Sequence, residues 1–436
     1  MDPTIAGILG IIFLFILILT GLHIGLVLCL VGGVGLVLLI GFQGGMLVLG
    51  STPFATASAY DLSPLPLFLL MGAFATGGGL GTVAFDAINK WVGRFSGGLA
   101  IASTFGSAFF GLACGSSLAA AGVFTKAALP EMLSRNYDRR LAIGSIAAAG
   151  TFSTMIPPSG LLIIYAIFTD ESIGKLFMAG VVPGILTAAV YVIFIYLRVR
   201  MNPSLAPKVD VQFDWPTRLR ALLTIWPILL LAWLVLGGIF AGWFTATEAG
   251  GIGAAGALAI VLVLKGWRKA GIFGSLVDCM RTNGMIFLII IGAIIFGRFL
   301  SVTQVPVNLS LYLSRLELPP IAILLGVLLM YFILGMFLDA VAILAITLPV
   351  VFPLIVGLGF DPIWFAIIMI KVTEIGLVTP PVGMNVYVCV SAAEGQVSLQ
   401  DAFRGIAPFI LCDLIVLGAL LIFPQLALWL PGLMFR

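Results

Sequence analysis

The groups in this chain best placed to do chemistry occur twice. Ile156-Pro157-Pro158-Ser159-Gly160 and Thr379-Pro380-Pro381-Val382-Gly383 each set two prolines inside an apolar run. A proline within a helix has no N–H to donate, and its ring clashes with the carbonyl four residues back. Paired prolines therefore unwind a turn and release the carbonyls of Ser153 and Thr154, and of Gly376 and Leu377. Free carbonyls beside Ser and Thr hydroxyls are hard oxygen ligands suited to Na+, and the restarting helix presents N–H groups that favour an anion. Two candidate cation sites follow. One comprises Ser116, Ser153, Thr154 and Pro157, and the other Gly335, Asp339, Gly376, Thr379 and Pro380.

Single residues extend this set. Ser116 and Ser117 follow Gly111-Leu112-Ala113-Cys114-Gly115 and can cap a returning helix. Together with Ser159, Asn385 and Arg298 they are the candidate substrate-binding residues. Asp339 lies at the break Gly335-Met336-Phe337-Leu338-Asp339, and a carboxylate inside an apolar region is expensive and functional by default. Arg298 pairs with a substrate carboxylate or with Asp339, or else snorkels to the outer interface. Lys371 and Glu374 are three apart on one helix face, which predicts an internal ion pair locking the second broken helix. Thr245 and Glu248 form a capping box, with a gating or subunit role as the further reading of Glu248. Lys90 and Arg94 read as anchors at the inner surface. His23, the one histidine, stands in no context for a proton relay.

The elements that hold these residues are set by composition. The chain is 61% hydrophobic and 9% charged, too little charge to cover a soluble domain of 436 residues. An all-α integral membrane protein is expected, with about ten to eleven spans and two re-entrant hairpins. Spans are placed near 4–21, 22–41, 63–89, 140–169, 175–197, 221–240, 245–264, 284–302, 361–393 and 403–431, and 43–62 reads either as a short span or as a loop. Met1-Asp2-Pro3 lacks the positive start of a cleavable signal. Five cysteines sit in or beside apolar runs without metal spacing and read as small buried residues.

Charge orients the spans. Arg198, Arg200, Lys208, Arg218 and Arg220 share one loop, and Lys265, Arg268, Lys269 and Arg281 another. Two spans separate these loops, so both lie on one side, the cytoplasmic one by the positive-inside rule. Arg135, Arg139 and Arg140 then fall on the same side. Lys90 and Arg94 join them only if 97–133 dips in and returns as a hairpin. Region 319–357, flanked only by Arg315, reads as a second hairpin entered from outside. Both chain ends come out external.

The two proline pairs are 223 residues apart, and at that offset Pro130 meets Pro353 and Asp138 meets Asp361. A two-residue shift then aligns Gly180 with Gly405 and Pro183 with Pro408. Each unit reads as a hairpin followed by a broken helix. An odd number of spans separates the hairpins, so the units are inverted. Inverted repeats with broken helices are characteristic of secondary transporters, whose site lies between the repeats.

With these motifs in view, a family resemblance emerges. Gly97-Gly98-Leu99-Ala100-Ile101-Ala102, Cys114-Gly115-Ser116-Ser117, Ile156-Pro157-Pro158-Ser159, Phe244-Thr245-Ala246-Thr247-Glu248-Ala249, Gly335-Met336-Phe337-Leu338-Asp339 and Ile375-Gly376-Leu377-Val378-Thr379-Pro380-Pro381-Val382-Gly383-Met384-Asn385 resemble the large membrane subunit of TRAP (tripartite ATP-independent periplasmic) transporters over the whole chain. The resemblance implies a Na+-coupled importer of organic acids such as C4-dicarboxylates or sialic acid, working as an elevator in the bacterial inner membrane. Two or more coupling Na+ ions and no organic cofactor are implied. Residues 97–169 and 319–394 would form the moving transport domain, and 1–96, 170–318 and 395–436 the scaffold. The implied partners are a small four-helix membrane subunit and a periplasmic substrate-binding protein, besides lipid, with no nucleic acid.

Other functions weigh less. A stand-alone sodium-coupled anion symporter and a channel remain as alternatives. An intramembrane enzyme would need a His-Glu metal motif, paired Asp or Ser-His, and an ATP-driven pump a GxxxxGK[ST] loop; none is present.

Overall fold

A computed structural model describes residues 2–207, 214–268, 270–315 and 318–434, with the side chains of 310 and 313–315 left aside. Lys208 and Lys269 thus lie outside the described residues, as does the side chain of Arg315. The described chain is helical throughout, with no strand. A bilayer offers backbone groups no partners, and helices satisfy their own. Six helices are long and apolar enough to cross a membrane, or up to eight if each bent pair is one span. This is a multi-pass membrane protein.

Several expected spans are broken. The 63–89 run divides at Gly77–Gly79, and Leu80–Val92 turns away by 61°. The 221–240 run bends by 41° between Trp215–Thr224 and the stretch beginning at Trp226. The 403–431 run ends at Ile422, before Pro424, and Gln425–Met434 is a separate helix. The undecided 43–62 segment is helical to Ala57. It is not a straight continuation of the helix from Ile24, which at 34 residues would be ~51 Å long against a hydrocarbon core of ~30 Å. Gly41 takes φ 82° and ψ 166°, a turn only glycine adopts readily. Gly33 then faces Leu49, and Gly45 faces Val37, so the two halves lie antiparallel about Gly41.

Glycines set the packing around Ile272–Thr303. Gly25 sits against the backbone of Leu288 and Ile289, and Gly32 against that of Phe296. Lipid tails are as apolar as leucine, so such close backbone contact, not hydrophobic expulsion, holds helices together here.

The repeat is visible element by element. Ser117–Ser134 corresponds to Ala340–Gly357, and Arg139–Ser153 to Pro362–Gly376, each at the 223-residue offset. Asp138 and Asp361 both cap the following helix with a side-chain oxygen. Pro157-Pro158 and Pro380-Pro381 are both cis. Both expected hairpins form, as Gly98–Cys114 with Ser117–Ser134 and as Pro320–Gly335 with Ala340–Gly357.

Contacts between distant segments agree with the charge-based grouping of loops. Trp91 Nε1 donates to the Arg218 carbonyl at 3.0 Å, and the Asp138 N–H to the Leu205 carbonyl at 2.8 Å. Both ends of the first hairpin, Lys90, Arg94, Leu205 and Arg218 therefore gather on one face. At the other face Tyr165 donates to the Pro362 carbonyl at 2.7 Å, and Asn308 donates to Thr4 at 2.9 Å.

Candidate functional site

Each hairpin tip rests on the Pro-Pro break of its own unit. In the first, Gly115 at φ 61° turns the chain, and Ser116 caps the returning limb by accepting from the Ala119 N–H at 3.4 Å. The tip reaches the break without room for another atom. A Cβ on Gly111 would stand 2.8 Å from the Ser153 carbonyl oxygen, and one on Gly115 would strike that of Pro158. Past the break Ser159 is fully buried and caps Gly160–Thr169 through the Leu162 N–H. Ser116, Ser153, Thr154, Pro157 and Ser159 thus stand together.

The second centre repeats the plan with different chemistry. Asp339 caps Ala340–Gly357, accepting from the Ala342 N–H at 3.1 Å. A Cβ on Gly335 would lie 2.8 Å from the Thr373 carbonyl oxygen and 3.0 Å from the Gly376 Cα. Thr379 turns its hydroxyl back to the Ile375 carbonyl at 2.7 Å, and the Asn385 N–H closes the break onto the Leu377 carbonyl at 3.1 Å. The helix after this break is introduced by Gly383 at φ 63° and has no side-chain cap.

The expected Lys371–Glu374 ion pair does not form. Lys371 Nζ instead donates to Asp413 Oδ1 at 2.5 Å and to Thr187 Oγ1 at 3.3 Å, and Tyr191 donates to the same Asp413 oxygen at 2.7 Å. Lys371 points out of its own helix toward Ile173–Met201 and Leu399–Ile422, which spacing along one helix cannot reveal. Glu374 points the other way, into a buried group with Asn385, whose Nδ2 donates to it at 3.3 Å, and with the hydroxyls of Ser117 and Thr154. Sequence reasoning missed Asp413 and its partners. The signal was available: Asp413 is a lone acid in the apolar 403–431 run.

Arg298 is also placed differently. It donates to Thr52 at 3.1 Å and lines a cavity of about 750 Å³ with Asp61, Asp170 and Glu171. It neither pairs with Asp339 nor joins the hairpin tips, because Thr52 is brought to it by the Gly41 turn. Glu248 completes the expected capping box with Thr245, its carboxylate accepting from the Thr245 N–H at 2.9 Å. Lys90 lies in the last turn of Leu80–Val92, beside Asp86. A second cavity, about 360 Å³, reaches Ser116 between the hairpin and the 271–282 stretch, with Thr76, Asp278 and Thr282 on its walls. On the opposite face Glu171 meets Asp361, and its carboxyl is held above the usual range by partial burial and then by that like charge.

The comparisons with known proteins bear on this arrangement. Residues 11–426 match the family model "Tripartite ATP-independent periplasmic transporter, DctM component". The chain is 36% identical over 382 residues to the C4-dicarboxylate TRAP transporter large permease protein DctM of Pseudomonas aeruginosa, covering 87% of this chain and 88% of that one. It is 30% identical to the sialic acid TRAP transporter large permease protein SiaM of Vibrio cholerae, over 86% of this chain and 87% of that one. Among solved structures, the YdaH transporter of Alcanivorax borkumensis matches 98% of this chain and 100% of its own, with a TM-score of 0.63 at 16% identity, a likeness of fold.

Proposed function

The chain belongs to the DctM family of TRAP transporter large permeases, and from that premise we propose that it is the membrane-spanning subunit of a Na+-coupled importer of small organic acids. The carrying observation is the pair of hairpin tips packed on Pro-Pro breaks in two inverted units. In each unit, unwound backbone carbonyls stand beside a capping oxygen, from Ser116 in the first and Asp339 in the second. These are groups for coupling Na+, with Ser116, Ser153, Thr154 and Pro157 around one ion and Gly335, Asp339, Gly376, Thr379 and Pro380 around the other. A carboxylate substrate is held at the tips by Ser116 and the helix N-termini beside it. Relatives named for C4-dicarboxylate and sialic acid transport support carboxylates as the cargo class.

Transport proceeds as an elevator. Residues 97–169 and 319–394 move as one body against the remaining helices, and the two cavities mark their boundary. On this reading the cavity at Ser116 is the tip's route to the cytoplasm. The larger one at Arg298 lies on the opposite face, between 166–174 and the helices of Thr52 and Arg298, where an incoming anion would meet a guanidinium. The small membrane subunit and a periplasmic binding protein complete the system in the inner membrane.

Proteoliposome uptake tests this reading. The chain, reconstituted with its small subunit and supplied with loaded binding protein, should accumulate an organic acid only under an inward Na+ gradient. Uptake indifferent to sodium, or absent for every carboxylate offered, overturns it.

A further inference from the structure

We propose a third sodium site, built from side chains, where the two units meet: Glu374, Asn385, Thr154 and Ser117. It rests on the sodium-coupled reading above and adds an ion that neither proline break accounts for. The four residues come from four different elements: the returning limb of the first hairpin, the first break, the end of Pro362–Gly376 and the start of Met384–Ala392. All four are more than nine-tenths buried, Glu374 at 2% and Asn385 at 0% exposure.

Their polar atoms satisfy one another only in part. Asn385 Nδ2 donates to one Glu374 oxygen at 3.3 Å, while Glu374 Oε1, Asn385 Oδ1 and Thr154 Oγ1 have no hydrogen-bond partner. Ser117 adds a further oxygen facing the carboxylate. Buried polar atoms are normally paired, and three unpaired oxygens in one cluster leave room for a positive centre. The charge balance points the same way. Lys371 is the nearest ammonium, but it is bound to Asp413 and Thr187. Lys371 and Asp413 cancel, so among the described residues an ionised Glu374 has no counter-ion, a costly state inside a membrane protein.

Several oxygens around one carboxylate are the coordination of a small hard cation. A divalent ion would call for more carboxylates, and a transition metal for imidazole or thiolate. A proton on Glu374 would supply a single donor, enough for one of the Asn385 and Thr154 oxygens and not for both, whereas a cation can be shared by all of them. Sodium here would tie the first break to the second, so that its occupancy is felt in both units.

The test is the thermal unfolding of the purified full-length chain as NaCl replaces choline chloride at constant ionic strength. Wild type should be stabilised by sodium, and Glu374→Gln should need about tenfold more sodium for the same effect, the equivalent of losing ~1.4 kcal/mol of ion binding. If that variant does not fold, Glu374→Asp and Asn385→Ala take its place, each expected to raise the sodium requirement. A wild-type response left unchanged by these variants overturns the site while the coupling reading stands. So does a sodium response unchanged in Glu374→Gln with a loss of the wild type's pH dependence, which would mark a proton site. A wild type blind to sodium overturns both.

Discussion

The two units share a backbone plan and differ in charge. At the hairpin tips a neutral Ser116 stands where the second unit has Asp339. Within the broken helices, Lys371 and Glu374 correspond at the 223-residue offset to Ala148 and Thr151. The first broken helix therefore buries no charge, while the second buries two and borrows a third from Asp413. The hairpin, the break and the glycine contacts occur in both units, and the buried ionic groups of the broken helix in the second only. Two similar frames around asymmetric charge make two centres that are not chemically equivalent.

The largest effect expected from this difference lies in the second unit's ion pair. Asp413→Ala strands Lys371 in the membrane interior and should cost about 3–5 kcal/mol. Ser107→Ala in the first unit removes only a buried hydroxyl that donates to the Ala149 carbonyl, worth about 1 kcal/mol. Thermal unfolding of the two variants would break the comparison if their losses were equal. The tips should differ next. Asp339→Ala removes a cap and a charge together and should lower sodium-driven uptake at least about tenfold. Ser116→Ala removes a cap worth ~1 kcal/mol and should lower it about fivefold. Equal uptake losses would mean that the carboxylate acts only as a cap.

The glycine contacts, by contrast, should behave alike in kind. Gly115→Ala meets the Pro158 carbonyl and a backbone at φ 61°, whereas Gly335→Ala meets the Thr373 carbonyl at 2.8 Å and the Gly376 Cα at 3.0 Å with no such backbone strain. Both should lower folded yield, the first more, and size-exclusion recovery measures it. The smallest effect belongs to the junction where Glu171, just past the first unit, faces Asp361 of the second. A carboxyl raised above its usual range favours its protonated form in the fold, so stability is lost as pH rises from the ordinary carboxylate range through that raised value. Glu171→Gln should flatten this part of the stability–pH curve, and an unchanged curve would remove Glu171 from the junction's electrostatics.

Much of this was legible before any coordinates. The helix boundaries of the two units fall at matching positions because prolines, aspartate caps and glycine turns are local signals that act over a few residues. Ser116, Asp339 and both proline pairs were read correctly as breaks for that reason. Partner choice was not legible. Lys371 and Glu374 share a helix face by spacing, yet each finds its partner on another element, 42 and 11 residues away. Arg298 finds Thr52 only because the chain reverses at Gly41.

The sequence by itself determined that this is a membrane protein, that it carries an inverted repeat, and where its helices unwind. Apolar length, proline chemistry and charge asymmetry suffice for those conclusions, since each depends on a residue and its near neighbours in a uniform solvent. Only the tertiary structure decided which buried charges are paired, that no Lys or Arg among the described residues pairs with Glu374, and that Arg298 belongs to a different cavity from the hairpin tips. Those outcomes turn on a few ångströms between distant segments, and in a low-dielectric interior that distance settles whether a charge is satisfied or must draw in an ion.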